Sequence, residues 1–416
     1  MTNSNPPRIA IIGAGPVGLE AALAATAAGF DVQLYERGTV AENVQSWGHI
    51  RLFSPFEMNS SALAKQRLRE TFGEEAIPPN DAYLTGREFA EKYLLPISQL
   101  PELIERIHPK TKVLSIGRSH CWKRDFIGKP ERAENPFVLL LQDEHGMERT
   151  EEAEIVLDCS GTYPHHHWMG AGGIPAVGET KAEPYIEYKI PDILGQDKEK
   201  YANKKTLLIG SGYSAATSIV ALSRLAEESP QTKVIWFTAM RHEEPMSRIE
   251  NDALPERDRL SQQVNNFVGH PESIIDWSPG YLVQSVQYNS ESKSFQIDAL
   301  FKKETHCKTG QGGQKSFSVD NVLANVGYRP CRQLYEELQI HECYASQGPI
   351  KLAATLLAET SPDCLQQAAH GVELLINPEP NFYILGAKSY GRDTRFLMKI
   401  GLQQVTDIIA KVTKNV

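Results

Sequence analysis

Gly13, Gly15 and Gly18, spaced as G-x-G-x-x-G, are the first residues of this chain whose type and spacing can do chemistry. In such a run the first glycine permits a tight turn, the second lets backbone approach a pyrophosphate, and the third lets a helix close on a strand. The run Arg8-Ile-Ala-Ile-Ile12 ahead of it is almost wholly apolar, the pattern of a buried parallel strand. Pro16 and Val17 fill the motif, and Leu19–Ala28, nearly all Ala and Leu, reads as a helix. That helix would turn free N–H groups and its positive end toward the phosphates. Gly29 stops it, Asp31–Tyr35 reads as a second strand, and Glu36 and Arg37 follow. Glu36 lies about 20 residues beyond the glycines, where a carboxylate can hold ribose hydroxyls.

The same signature returns in mid-chain. Lys205–Ile209 is a short apolar strand that runs into Gly210-Ser-Gly212-Tyr213-Ser214-Ala215, a G-x-G-x-x-A variant with a small third residue. A helix is expected through Ala226, then a strand over Lys233–Phe237. The position for the acid holds Thr238, and Arg241 stands three residues on. Loss of the acid beside a gained Arg favours a ribose 2′-phosphate, so NADPH is expected here, with NADH as the alternative.

The 416-residue chain is 41% hydrophobic and 23% charged, with a net charge of −9. Such proportions suit a soluble globular protein of two or three domains, at about 100–200 residues each. Net acidity disfavours a nucleic-acid partner, which needs clustered Lys and Arg. The first residues lack the pattern of a secretory leader, and no apolar run reaches the roughly 18 residues of a membrane span. The expectation is a cytoplasmic protein with no membrane partner and a small-molecule substrate, its oligomeric state left open. The six cysteines at 121, 159, 307, 331, 343 and 364 include no C-x-x-C, so a disulfide framework is not expected.

The two glycine motifs must be carried by two α/β units. Polar, Pro-rich and charged stretches at 123–136 and 179–204 separate them, and 304–316 reads as a hairpin loop between strands Phe295–Phe301 and Phe317–Ala324. The expected fold is α/β, with two Rossmann-like doubly wound domains, the second inserted in the first. The boundaries are 1–165, then 166–330, then a return over 331–416. An amphipathic helix is expected near the C-terminus, beginning near Thr394.

This pattern resembles the two-dinucleotide-binding-domain flavoproteins, a group that includes flavin-containing monooxygenases and thioredoxin reductase-like enzymes. Glu154–Thr162 looks like the strand and Ala-Thr-Gly-type turn, with Gly161, where the chain leaves the FAD domain. Asn321–Pro330 looks like the return strand, and Asn381–Gly386 like the last strand of that domain. The resemblance implies FAD on the first motif and a nicotinamide nucleotide on the second. Three departures accompany it. The last strand leads to Gly386-Ala387-Lys388 where many relatives have Gly-Asp, the redox C-x-x-C is absent, and Pro184–Pro191 lacks the His of the monooxygenase fingerprint.

The resemblance also implies that Ser46–Pro55 runs past the flavin ring. Trp47 or Phe53 would stack there, and His49 or Arg51 would offer a donor to the ring's anionic edge. Packing of Trp47 and Phe53 in the core, with His49 as an ordinary loop residue, is the alternative. Lys388, Tyr390 and Arg392 are further candidates for flavin or substrate contact, with a solvated surface role as the alternative. Candidate catalytic residues are thus His49, Arg51 and Lys388. His165, His166 and His167 are adjacent, so their side chains diverge and a metal site is not expected. Cys159 is expected in the core, and Cys121 supports no assignment. The expected function is an NADPH-reduced FAD monooxygenase acting on a small molecule. Two alternatives stand: a reductase serving an organic or protein acceptor, and a non-catalytic FAD-binding redox sensor.

Overall fold

Four of the five side chains of β1 (Arg8–Ile12) are buried, and its apolar run lies between two other strands. The computed structural model describes residues 6–240, 243–301, 313–359, 363, 365 and 371–414. It divides the chain into two compact units, Met1–His165 with Arg329–Val416, and His166–Tyr328. The expected α/β class, with parallel sheets in both units, is what the chain adopts.

In the first unit, β1 pairs in parallel with β2 (Asp31–Tyr35), which pairs with β3 (Ile107–His108). An antiparallel meander follows, β4 (Lys112–Arg118), β5 (Phe137–Gln142) and β6 (Glu148–Ala153). The chain then returns to the parallel sheet through β7 (Ile155–Asp158) beside β1. The second unit repeats the plan. Its parallel strands are β8 (Lys205–Ile209), β9 (Lys233–Thr238) and β10 (Ile275–Pro279), and its meander is β11 (Tyr281–Asn289), β12 (Ser294–Phe301) and β13 (Gln314–Val319). β14 (Asn321–Ala324) completes that parallel sheet, and β15 (Phe382–Ile384) completes the first. The orders are β15-β7-β1-β2-β3 and β10-β9-β8-β14. Strand order therefore reverses at β1 and at β8, and the crevice beyond the carboxyl end of such a strand is where open α/β sheets bind ligands.

One face of the first sheet packs on the meander. Phe137, Leu139 and Leu141 point inward on alternate positions of β5 and join Ala10, Ile12 and Val156. The other face carries the helix Pro16–Ala27 and the C-terminal helix Met398–Lys414, whose Leu402, Val405, Ile408, Ile409 and Val412 recur at helical spacing.

Two boundaries differ from the expectations. The run Phe317–Ala324 is two strands in two sheets. Asp320 accepts from Lys205 N–H (2.8 Å) and its own N–H donates to Lys205 O (2.8 Å), which turns the chain onto β8. The hairpin loop expected over 304–316 lies mostly outside the described residues. The last helix starts at Met398 rather than near Thr394, because Asp393 caps its own turn by accepting from Arg395 N–H (2.9 Å).

Candidate functional site

The first glycine turn leaves β1 at its carboxyl end. Gly13 has φ 97, and a Cβ there would lie 2.9 Å from Cys159 O in the turn after β7, so only glycine fits. A Cβ on Gly18 would overlap Gly13 O, which is the close approach of helix to strand. Gly15 is different: among the described residues no heavy atom beyond its own chain neighbours lies within 4 Å of where its Cβ would be. The space beside it is open, and the helix begins there with Pro16, which has no N–H to lose, at its first position. The amides of Val17 and Gly18 at this helix start have no intrahelical acceptor.

Glu36 follows β2 directly, beside that turn. Its carboxylate accepts from Ala14 N–H (2.7 Å) and Gly38 N–H (2.9 Å), which fixes it next to the glycine loop with lone pairs to spare. Arg37 is exposed. Ala41 N–H donates to Ala14 O (3.0 Å), so the segment carrying Trp47 is hung from the glycine turn. Gly161, with φ 68, faces open space in the turn after β7.

Residues 48–52 run alongside 84–87. Arg87 N–H donates to Gly48 O (2.9 Å), Gly86 N–H to Ile50 O (2.8 Å) and Leu52 N–H to Leu84 O (2.9 Å). Trp47 covers Gly86 so closely that a Cβ there would overlap its ring, and it packs on the core. Thr85 and Glu88 form a capping box that fixes this strand-to-helix turn. His49 is half-buried, and its Nε2 is buried without a hydrogen-bond partner among the described residues. Arg51 is exposed, and its guanidinium donates to Tyr83 O (2.5 Å). It lines a cleft of about 980 Å³ together with Phe72, Ile77, Tyr83, Leu84 and Lys92.

The C-terminal candidates lie elsewhere than expected. Lys388 is 1% exposed, and its Nζ sits 2.6 Å from Asp158 Oδ2, so it is spent inside the protein instead of reaching solvent or substrate. Tyr390 is a buried core ring against Phe396, and Arg392 is exposed and donates to Gln347 Oε1 (2.9 Å). Gly386, with φ 71, packs against Val17 and donates its N–H to Gln404 Oε1 (2.8 Å). Asp158, Ser160 and Gln404 were missed in the sequence. Their signal was a polar residue in an apolar setting: Asp158 closes the strand Ile-Val-Leu-Asp, and Gln404 sits on the buried stripe of the last helix.

In the second unit Gly210 has φ 135, and a Cβ would overlap Asn325 O in the turn after β14. Gly212, like Gly15, faces open space. Tyr213 and Ser214 start the helix Tyr213–Glu228 and are half-buried, while Ala215 is fully buried against the sheet. Asn325, missed in the sequence, accepts from Ser218 Oγ (2.9 Å) and donates to Lys189 O (3.2 Å), joining the turn after β14 to the helix and to the stretch ahead of β8. Thr238 is buried. It donates to Met240 O (3.1 Å) and accepts from Trp277 Nε1 (3.2 Å), so it offers no carboxylate and no free hydroxyl. Arg241 lies outside the described residues. His166 stacks on Tyr188, with ring centroids 3.5 Å apart, and meets Glu183 at 3.2 Å. Among the described residues no three His, Cys, Asp or Glu side chains gather as a metal site. Likewise no described helix is long and apolar enough to cross a membrane.

No protein-family model matches the chain, and no curated protein matches it in sequence. Solved structures do match. Bacillithiol disulfide reductase (YpdA) from Bacillus cereus superposes with a TM-score of 0.67 at 15% identity, over 99% of this chain and 100% of that one. Thioredoxin reductase from T. acidophilum gives 0.59 at 15% identity, covering 98% and 99%. The reduced form of ornithine hydroxylase (PvdA) from Pseudomonas aeruginosa gives 0.60 at 15% identity, also covering 98% and 99%. At these identities the likeness is one of fold, and it spans nearly the whole chain. The chain has the fold of the two-dinucleotide-binding-domain flavoproteins.

Proposed function

We propose that this chain is an FAD-dependent oxidoreductase, reduced by NADPH, that oxygenates a small molecule. The observation that carries the reading is the pair of glycine turns at the two points of strand reversal, each with its middle glycine facing open space. Among the described residues, only the first has a carboxylate, Glu36, fixed beside it. FAD would be held by Gly13, Gly15, Pro16, Val17 and Gly18 at the pyrophosphate and by Glu36 and Arg37 at the ribose. Trp47, His49, Arg51, Gly161 and Gly386 would line the way to the ring. NADPH would be held by Gly210, Gly212, Tyr213 and Ser214, with Ala215 packing the helix and Arg241 on the 2′-phosphate. Bound FAD supplies hydride and oxygen chemistry that no side chain can supply. The chain supplies anchoring, orientation and an unpaired His49 Nε2 for the cofactor or substrate. The overall reaction takes NADPH, a proton and O₂, places one oxygen atom on the substrate and releases the other as water.

Reduction of an acceptor without oxygen insertion is the second reading, favoured by likeness in fold to a bacillithiol disulfide reductase and a thioredoxin reductase. Against a paired-thiol route, the chain has no C-x-x-C, and burial pushes the Cys159 thiol well above its ordinary pKa. The two readings separate on labelled dioxygen. Label in the product, with one NADPH consumed per oxygen inserted, supports oxygenation. NADPH oxidation that proceeds without air when a disulfide or quinone is supplied rejects it in favour of the reductase.

A further inference from the structure

The buried Lys388 Nζ makes three contacts: Asp158 Oδ2 at 2.6 Å, the half-buried Ser160 Oγ at 3.0 Å and the face of Tyr335 at 5.0 Å. Asp158 is 0% exposed, and its other oxygen accepts from Ser160 Oγ (2.6 Å) and Ser160 N–H (3.1 Å). The ammonium and the carboxylate are therefore both satisfied within the protein. A buried pair of this kind adds little stability over apolar residues of the same volume, so its presence points to a demand on geometry.

That demand is visible in what the two residues join. They stand 230 positions apart in the chain, Asp158 at the end of β7 where its turn begins and Lys388 in the turn after β15. The first of these turns packs under the glycine loop, where a Cβ on Gly13 would lie 2.9 Å from Cys159 O and 3.0 Å from Ser160 Cα. The second lies against Val17, where a Cβ on Gly386 would lie 3.1 Å from Val17 Cγ2. Gln404 and Ser389 brace it, since Gln404 Nε2 donates to Ser389 Oγ (2.9 Å) and Ser389 Oγ donates to Gly386 O (2.8 Å). The glycine loop thus touches both turns, and the ion pair ties the turns to each other.

We propose that Asp158 and Lys388, with Ser160, form a buried tie that clamps the two turns on the glycine loop and thereby sets how tightly the first unit holds FAD. They are positioning residues, since neither is open to a ligand. The inference rests on the FAD reading above.

The test compares two double variants that leave no buried lone charge. D158L/K388M fills the space with apolar side chains and removes the tie. D158N/K388Q keeps a neutral hydrogen-bonded tie. FAD is titrated into each apo-protein by flavin fluorescence, and the folded state is checked by circular dichroism and thermal unfolding. D158L/K388M should stay folded yet bind FAD about tenfold or more weakly, while D158N/K388Q stays within about threefold of the parent. The single variant S160A, which removes one leg, should fall between them. If D158L/K388M binds FAD as tightly as the parent, or if both double variants weaken equally, the tie has no such role. A parent that binds no FAD overturns the cofactor reading as well, which distinguishes the two failures.

Discussion

At the scale of single residues, the glycines of the first turn do separable jobs. Gly15 has φ −83 and open space around it, so an alanine there meets no protein atom and needs no unusual backbone. G15A should leave the unfolding midpoint of the apo-protein unchanged and weaken FAD by about tenfold or more, because the methyl would occupy the path proposed for the pyrophosphate. Gly18 has no such room, and G18A should destabilise the apo-protein itself by about 1–3 kcal/mol through overpacking, read by urea unfolding. Equal effects of the two on stability would refute the division of labour. Glu20, on the same helix, is 4% exposed, its Oε2 has no partner, and burial raises its pKa above the usual carboxylate value. A raised folded-state pKa means its protonated form stabilises the fold below the unfolded value, and that contribution is lost as pH rises through the folded one. E20Q should remove this loss, so stability measured by urea unfolding should fall less than the parent's over the pH range just above the ordinary Glu value. Parallel profiles would show that Glu20 does not titrate differently in the fold.

At the scale of elements, local patterns were legible and long-range ties were not. The strand–turn–helix–strand runs around Gly13 and Gly210 were readable because each lies within a few consecutive turns and every residue type agrees with its role. The pairing of 48–52 with 84–87 was not, since nothing in Gly48 or Arg51 announces a partner more than thirty residues on. Lys388 shows the limit well. Its type drew attention, but an ammonium read as open to a ligand is closed off by an aspartate that only the folded sheet brings near. The polar pair Asp320-Asn321 interrupts Phe317–Ala324 in the sequence, but only the fold shows that Asp320 there hands the chain from the meander to β8. Another long-range element tie lies between β4, the loop that follows it and the approach to β15. Arg118 and Arg132 both reach Glu379, and all three are almost fully buried. Arg132 also donates to Trp122 O (3.0 Å) and Asp125 O (3.1 Å), so it holds the loop after β4 in place. R132M should cost about 3–5 kcal/mol in chemical unfolding, as breaking a buried charged network does. A loss within the range of an ordinary surface substitution would show that the network is not under load.

At the scale of the whole molecule, the chain repeats one plan, a parallel sheet with a glycine turn at its reversal point and an antiparallel meander, and differentiates the copies. The first copy keeps Glu36 fixed beside its glycine turn. The second puts Thr238 there and turns its hydroxyl inward. A second unit without that carboxylate suits a nucleotide with a 2′-phosphate. R241A should therefore raise the dissociation constant of NADPH more than that of NADH, measured by binding titration, and equal changes would remove Arg241 from the 2′-phosphate. The central claim, that FAD on the first unit is reduced by a nicotinamide nucleotide on the second, is tested most directly by anaerobic titration of the FAD-loaded protein with NADPH while the flavin absorbance is followed. The account predicts bleaching of the flavin band by about one equivalent of NADPH, with NADH less effective. A protein that takes up no FAD, or whose bound FAD keeps its full absorbance with both nucleotides, would contradict it.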